Sequence, residues 1–157
     1  TLALLEAKQP TVDAIGWGIT AVTEVYLDLW EAGTASERQR LQDPLMRALA
    51  ALRRYAFVFP YLAPRTLLLH GRYAWSQGGV RLSRLLGEAS LLRARRIGIP
   101  FDEAMAREWL GRFANTPLGG DAGLSREVRV VFSLFVPFLA YSNGKPNRNA
   151  KMNTTIA

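Results

Sequence analysis

The sequence contains no cysteine and only one histidine, His70. The absence of cysteine excludes disulfide-stabilised folds, cysteine-ligated zinc, iron–sulfur centres and thiol catalysis. A single histidine leaves little for a metal site or for acid–base chemistry, and the sequence supplies no evident catalytic partner for it. We therefore interpret His70 as a structural or surface residue, and we predict a non-enzymatic chain with no catalytic residue, no metal ligand and no cofactor.

Long hydrophobic segments are also missing. The longest apolar stretch, 130–141, is interrupted by Ser133 and Pro137 and is shorter than the ~20 residues of a membrane-spanning helix. The first residues lack the basic and apolar regions of a signal peptide. We expect a cytoplasmic protein without a membrane partner. Because residue 1 is Thr rather than Met, we also expect a processed product or a part of a longer chain.

Negative charge is scarce relative to positive charge. Against 13 acidic residues there are 20 basic ones, which gives a net charge of +7, and all but Lys8, Lys145 and Lys151 are arginine. Such a field attracts nucleic acid, acidic lipid or an acidic protein surface. The candidate interaction surface consists of two arginine clusters, Arg53 and Arg54 in one, Arg93, Arg95 and Arg96 in the other. The second cluster also suits the end of a predicted helix, where the helix dipole favours cations without any ligand.

Apolar residues recur at spacings of three and four through most of the chain, which predicts amphipathic helices. Gly33, Pro60, Gly98 and a glycine pair at 78–79 stop these helices, and Ser36 is the predicted N-cap of the second one. The predicted helices cover 12–32, 36–59, 64–77, 80–97 and 100–113.

Three acidic residues of the first helix, Glu24, Asp28 and Glu31, share one face. Their spacing would allow them to surround a hard cation, but a solvated acidic stripe is the interpretation we adopt. The aromatic residues on the apolar helix faces, Trp17, Trp30, Trp75 and Trp109 among them, are interpreted as core between helices rather than as a platform for stacking bases.

Two pairs of similar short segments within the sequence indicate a repeat. Trp30 precedes Gly33 much as Trp75 precedes the glycine at 78, and the pair Gly71-Arg72 recurs as Gly111-Arg112. Glycine inside a helix lowers helix stability by about 1 kcal/mol, which close packing of a neighbouring helix would justify. We therefore predict packing roles for Trp30, Gly33, Gly71, Trp75 and Gly111, in an antiparallel solenoid of helical pairs with repeats of roughly 40 residues.

The domain organisation predicted from these patterns has four parts. An αα-repeat domain covers 1–113, and a glycine- and proline-rich linker covers 114–124. An apolar element follows at 125–141, for which a helix is favoured although a strand stays possible. The last segment, 142–157, has almost no apolar residues and is predicted to be disordered.

Three segments together suggest a family: TEVYLDLWEAG at 23–33, PRTLLLHGRYAW at 64–75 and LLRARRIGIPFDEAMAREWLGRF at 91–113. They resemble the C-terminal tetratricopeptide-like helical region of bacterial signalling proteins that join an adenylate/guanylate cyclase domain to an AAA-type ATPase module. The resemblance implies an all-α tetratricopeptide-like solenoid within a larger protein. No catalytic residue is carried over, because the cyclase aspartates and the ATPase nucleotide loop have no counterpart in this segment.

The function predicted from the sequence is that of a helical-repeat scaffold or regulatory segment. It would contact a protein partner or other domains of a parent signalling protein, and the isolated segment would self-associate through an uncovered end of the solenoid. The alternative is a basic helical nucleic-acid-binding module, whose affinity would fall steeply with salt.

Overall fold

The computed structural model describes residues 13–114, and this part of the chain is all-α. Its helices are α1 (Asp13–Ala32), α2 (Ala35–Val58), α3 (Ala63–Ser76), α4 (Val80–Ile97) and α5 (Pro100–Gly111), with a short 3₁₀ turn at Pro60–Leu62. The all-α class predicted from the sequence is confirmed for the described residues, which contain no strand. The predicted linker, apolar element and tail lie outside the described residues, apart from Ala114.

Glycine and proline lie at the helix ends that were predicted from the sequence. α4 ends at Ile97 and is capped by Gly98, whose φ of 78° is the left-handed conformation that glycine adopts without strain. The N–H of Gly98 donates a 2.9 Å hydrogen bond to the carbonyl of Ala94. α5 then begins at Pro100, a first-turn position at which proline loses no helical hydrogen bond. The connection between α4 and α5 is therefore only two residues long.

The N-cap of α2 is Thr34, so the prediction of Ser36 is wrong. The backbone N–H of Thr34 donates to Glu37 Oε2 at 2.7 Å, and the N–H of Glu37 donates back to Thr34 Oγ1 at 3.4 Å. This reciprocal capping box satisfies two N–H groups that the first turn leaves free. The hydrogen bond from the backbone of Thr34 lowers the pKa of the Glu37 carboxyl. A capping box requires a Glu three residues after the N-cap, and Glu37 has this spacing from Thr34. Ser36 therefore lies inside the first turn of the helix.

α3 is the central helix and contacts each of the other four helices. Glu24 of α1 pairs with Arg65 of α3, and Glu31, further along α1, pairs with Arg72, further along α3. Because both pairs are separated by the same 41 residues, the two helices run parallel. α3 also runs parallel to α5: Arg65 contacts Asp102 near the start of both helices, and the ring of Trp75 lies 6.3 Å from that of Trp109 near the end of both. Consecutive helices run antiparallel. The hydroxyl of Ser90 in α4, for example, donates to the carbonyl of Pro64 at the start of α3.

The main core lies between α1, α2, α3 and α4. The apolar face of α2 is buried through Leu45, Leu49 and Leu52, while Leu41 at its start is partly buried. A second, smaller cluster joins α3 to α5, with Trp75 edge-on to Phe113 at 5.1 Å between ring centroids.

The residues with predicted packing roles have different surroundings. Trp30 is buried and lies 6.0 Å from the ring of Tyr73. Gly71 lies at the crossing of α3 and α4, where an added Cβ would be 3.2 Å from the carbonyl oxygen of Ser83. Gly33 follows the end of α1, as predicted for a helix stop. The packing role predicted for Gly111 stays a prediction, since an added Cβ there would have no atom of the described residues within 4 Å.

Candidate functional site

The acidic face of α1 forms ion pairs with arginines of α3. Glu24 Oε1 lies 2.7 Å from Arg65 Nη1, and Arg72 Nη2 lies 2.7 Å from Asp28 Oδ1 and 2.9 Å from Glu31 Oε2. The predicted acidic stripe is solvated in part, because Asp28 and Glu31 are exposed while Glu24 is half-buried. The ion pairs were not predicted; they form because α3 runs parallel to α1 and brings its basic residues to this face. Within the described part of the chain, no cluster of three or more acidic or histidine residues has the arrangement of a metal site.

Arg65 is the most enclosed of these basic groups. Its side chain is 7% exposed and also contacts Asp102 of α5, which is 4% exposed, with Nη2 and Oδ1 2.7 Å apart. A second bond from Nε to the same oxygen is 2.9 Å long. One guanidinium thus joins α1, α3 and α5. A buried charge of this kind is tolerated only with its partners in place, so the ion pairs of Arg65 link the three helices.

The arginines of the candidate interaction surface do not share one environment. Arg53 is half-buried and Arg54 is exposed at the neighbouring position of α2. Arg93 is buried in α4, and its pKa is lowered by that burial and by the nearby charge of Arg96. Arg95 Nε lies 2.7 Å from a carboxylate oxygen of Glu103, which lowers the pKa of Glu103. Only part of this set therefore presents a cation to solvent.

Arg53 borders a cavity of about 400 Å³ between α2, α3 and α4, called here the α2–α3–α4 cavity. Its walls are mainly apolar, and its polar side chains are Arg53, His70 and Gln77. The other described lining residues are Met46, Leu49 and Ala50 from α2, Tyr73 and Ala74 from α3, Gly79 before α4, and Leu82 and Leu86 from α4. The volume lies within the range of about 300–1,000 Å³ typical of small-molecule pockets. No carboxylate side chain is among the described residues that line this cavity.

His70 lies on the α3 side of the cavity. Its Nδ1 is 2.8 Å from the carbonyl oxygen of Thr66, one turn earlier, which makes Nδ1 the protonated nitrogen. Burial lowers the pKa of His70 to about 4, and the charge of Arg53 adds to this effect, while the hydrogen bond to Thr66 opposes it. The imidazole is therefore neutral at physiological pH. The sequence interpretation of a structural histidine missed the cavity, because residues on three separate helices form it.

A second candidate surface is the outward side of α1. Trp17, Val25 and Leu29 are 51%, 56% and 51% exposed, and with exposed Ala21 they recur every fourth residue. We call these four residues the α1 outer face. The opposite side of the same helix is buried against α2 and α3. The prediction that Trp17 belongs to the core is wrong, because the residue is 51% exposed, although its ring lies 5.9 Å from that of Tyr61.

Comparisons of the chain with protein-family models, with curated proteins and with solved structures find no match. In residues 13–114, no helix combines the length and the apolar character needed to span a bilayer. The α1 outer face and the α2–α3–α4 cavity are the two candidate functional surfaces of the described residues.

Proposed function

We propose that this chain is a non-catalytic scaffold or regulatory segment, an αα solenoid of tetratricopeptide-like type that packs against another domain of a larger signalling protein. The resemblance to the helical region of cyclase/ATPase proteins suggests the kind of parent protein. The occupant we propose for the α1 outer face is an apolar helix of a neighbouring domain, because solenoid repeats stack helix on helix.

The parallel course of alternate helices supports the solenoid. Contacts between α1 and α3 join residues 41 apart, and those between α3 and α5 join residues 37 apart. These separations agree with the repeat length of roughly 40 residues that the similar segments of the sequence predict. Each antiparallel pair then contributes one helix to a parallel row, α1, α3 and α5, in the manner of stacked repeats.

The observation that carries the proposed function is the presence of two apolar sides on α1, only one of which is covered by the described residues. A surface helix normally has one apolar side and one polar side. A contiguous exposed apolar strip such as the α1 outer face marks an interaction site more often than scattered single residues do. In a solenoid, the first helix of one repeat presents such a strip to the element before it.

Photo-cross-linking tests this proposal in the full native protein. A photoreactive amino acid at Val25 should give cross-links to one defined segment, mapped by mass spectrometry to an apolar helix. The matched control is the same group at Leu92, an exposed apolar residue of α4. Leu29→Glu should abolish the Val25 cross-links while circular dichroism shows unchanged helicity. Equal cross-linking from both positions would contradict the proposal.

The isolated chain should self-associate through the same face when no neighbouring domain covers it. Sedimentation equilibrium should show concentration-dependent dimers that Val25→Glu removes and Leu92→Glu does not. A monomer at every concentration would contradict this secondary prediction. Nucleic-acid binding remains the alternative prediction from the sequence, but the burial of Arg93 and the pairing of Arg95 with Glu103 do not favour it.

A further inference from the structure

The positive charge of Arg53 at the border of the α2–α3–α4 cavity is not balanced by a carboxylate among the described residues that line the cavity. Arg65 and Arg72 on the other side of α3 each pair with two carboxylates. Arg53, although half-buried, has no carboxylate within ion-pair distance among residues 15–114. A guanidinium that is partly withdrawn from water without a counter-charge is a favourable partner for an incoming anion.

The other titratable wall residues do not balance this charge. His70 is neutral at physiological pH because burial lowers its pKa to about 4. It therefore adds no second cation, and it supplies no negative charge. Among the described residues that line the cavity, Arg53 is consequently the one with a formal charge, and the rest of this lining is mostly aliphatic or aromatic. This combination suits a ligand with one anionic group and an apolar body.

We propose that the α2–α3–α4 cavity binds a medium-chain fatty acid, with the carboxylate on the guanidinium of Arg53 and the hydrocarbon chain against Leu49, Leu82 and Leu86. A chain of roughly eight carbons suits a cavity of this size, since pockets from about 300 Å³ upward take small ligands. This site is separate from the α1 outer face, so its existence does not depend on the proposed scaffold function.

The affinity for a fatty acid should depend on the length of its hydrocarbon chain. Each methylene group removed from water contributes about 0.8 kcal/mol, which corresponds to about a fourfold change in affinity. Octanoate should therefore bind up to about fifteenfold more tightly than hexanoate. The carboxylate contributes separately: octanol, which has the same chain without the charge, should bind at least about tenfold more weakly than octanoate.

Methionine-methyl NMR of the full chain provides a direct measurement, because Met46 lines the cavity and Met105 lies in the second hydrophobic cluster. Titration with octanoate should shift the Met46 methyl resonance in a saturable way and leave Met105 unchanged. A Met46 resonance that does not move overturns the proposal. Equal shifts at both methionines would show a detergent effect on the fold and would overturn it as well.

Arg53→Leu and its neighbour Arg54→Leu form a matched pair of variants. Arg53→Leu should weaken octanoate binding at least about tenfold and leave octanol binding nearly unchanged, whereas Arg54→Leu should change neither by more than about twofold. Octanoate affinity that survives Arg53→Leu overturns the assignment of the carboxylate site. Circular dichroism and the Tm of each variant show whether it is folded.

A third variant keeps the proposal testable if Arg53→Leu does not fold. Ala50 lines the cavity but is exposed at its rim, so Ala50→Phe adds a ring to the cavity without disturbing the core. This variant should lower the affinities for octanoate and octanol together. Unchanged affinities for both would place the ligand outside the cavity and overturn the proposal.

Discussion

The pH dependence of stability should reveal the environment of His70. Its pKa is about 4 in the folded protein, below the ordinary value of 6.5 that it recovers on unfolding. Between these values the unfolded state binds more protons than the folded state, so the free energy of unfolding falls as pH falls. The stability is fully present above the unfolded pKa and is lost as the solution is acidified from there towards pH 4.

The size of the effect follows from the two pKa values. Lowering the pH from about 7 to about 5 protonates nearly all unfolded chains at His70 and only about a tenth of the folded ones, which corresponds to at most about 2 kcal/mol. Water reaches the ring through the cavity, because His70 is only partly buried. Solvent screening reduces the expected loss accordingly, and we expect about 1 kcal/mol.

Urea unfolding of the parent chain and of His70→Gln at both pH values is the appropriate assay. Because His70 is the only histidine, no other side chain has an ordinary pKa in this window. Glu37 and Glu103 have pKa values below the ordinary 4.5, so the stability they add is lost only at lower pH. The parent should lose stability between the two pH values, and His70→Gln should lose much less. Equal losses in both proteins would refute the reasoning, as would an NMR titration of the imidazole with a midpoint near 6.5.

Three further substitutions should change the Tm and the free energy of unfolding. Arg65→Leu leaves a carboxylate buried without its cation and should cost about 3–5 kcal/mol, so that a cost below about 1 kcal/mol would contradict its assigned role. Gly71→Ala should destabilise the chain by about 1–2 kcal/mol through the close contact of α3 with α4, whereas Gly111→Ala should be neutral or stabilising; calorimetry showing the reverse order would be inconsistent with the packing. Thr34→Ala should cost about 1 kcal/mol by removing the cap of α2, and Ser36→Ala should cost less, with equal costs counting against the capping box.

The helix boundaries could be predicted from the sequence because local signals determine them. Gly98 and Pro100 together separate α4 from α5, and no distant residue is needed to explain that break. The bounds predicted for α4 match the structure. The cap of α2 was missed because both Thr34 and Ser36 are good N-cap residues, and only the position of Glu37 favours the former.

The candidate sites could not be predicted, because they depend on contacts between distant parts of the chain. The acidic residues of α1 have a pattern that fits a solvated face equally well, and the arginines that pair with them lie about forty residues away. The same holds for the cavity, to which α2, α3 and α4 all contribute. Periodicity indicates which residues of a helix are apolar, but it does not show which apolar side remains uncovered, as Trp17 demonstrates.

The position of Arg65 affects how the chain loses its structure. In a simple row of repeats the end helices open independently, because each contacts only its neighbour. Here one guanidinium contacts Glu24 of α1 and Asp102 of α5, so the departure of either helix removes a counter-charge from the same buried group. The opening of one end therefore weakens the attachment of the other. Both ends are thereby thermodynamically coupled through α3, and amide hydrogens in α1 and α5 should exchange in a correlated manner.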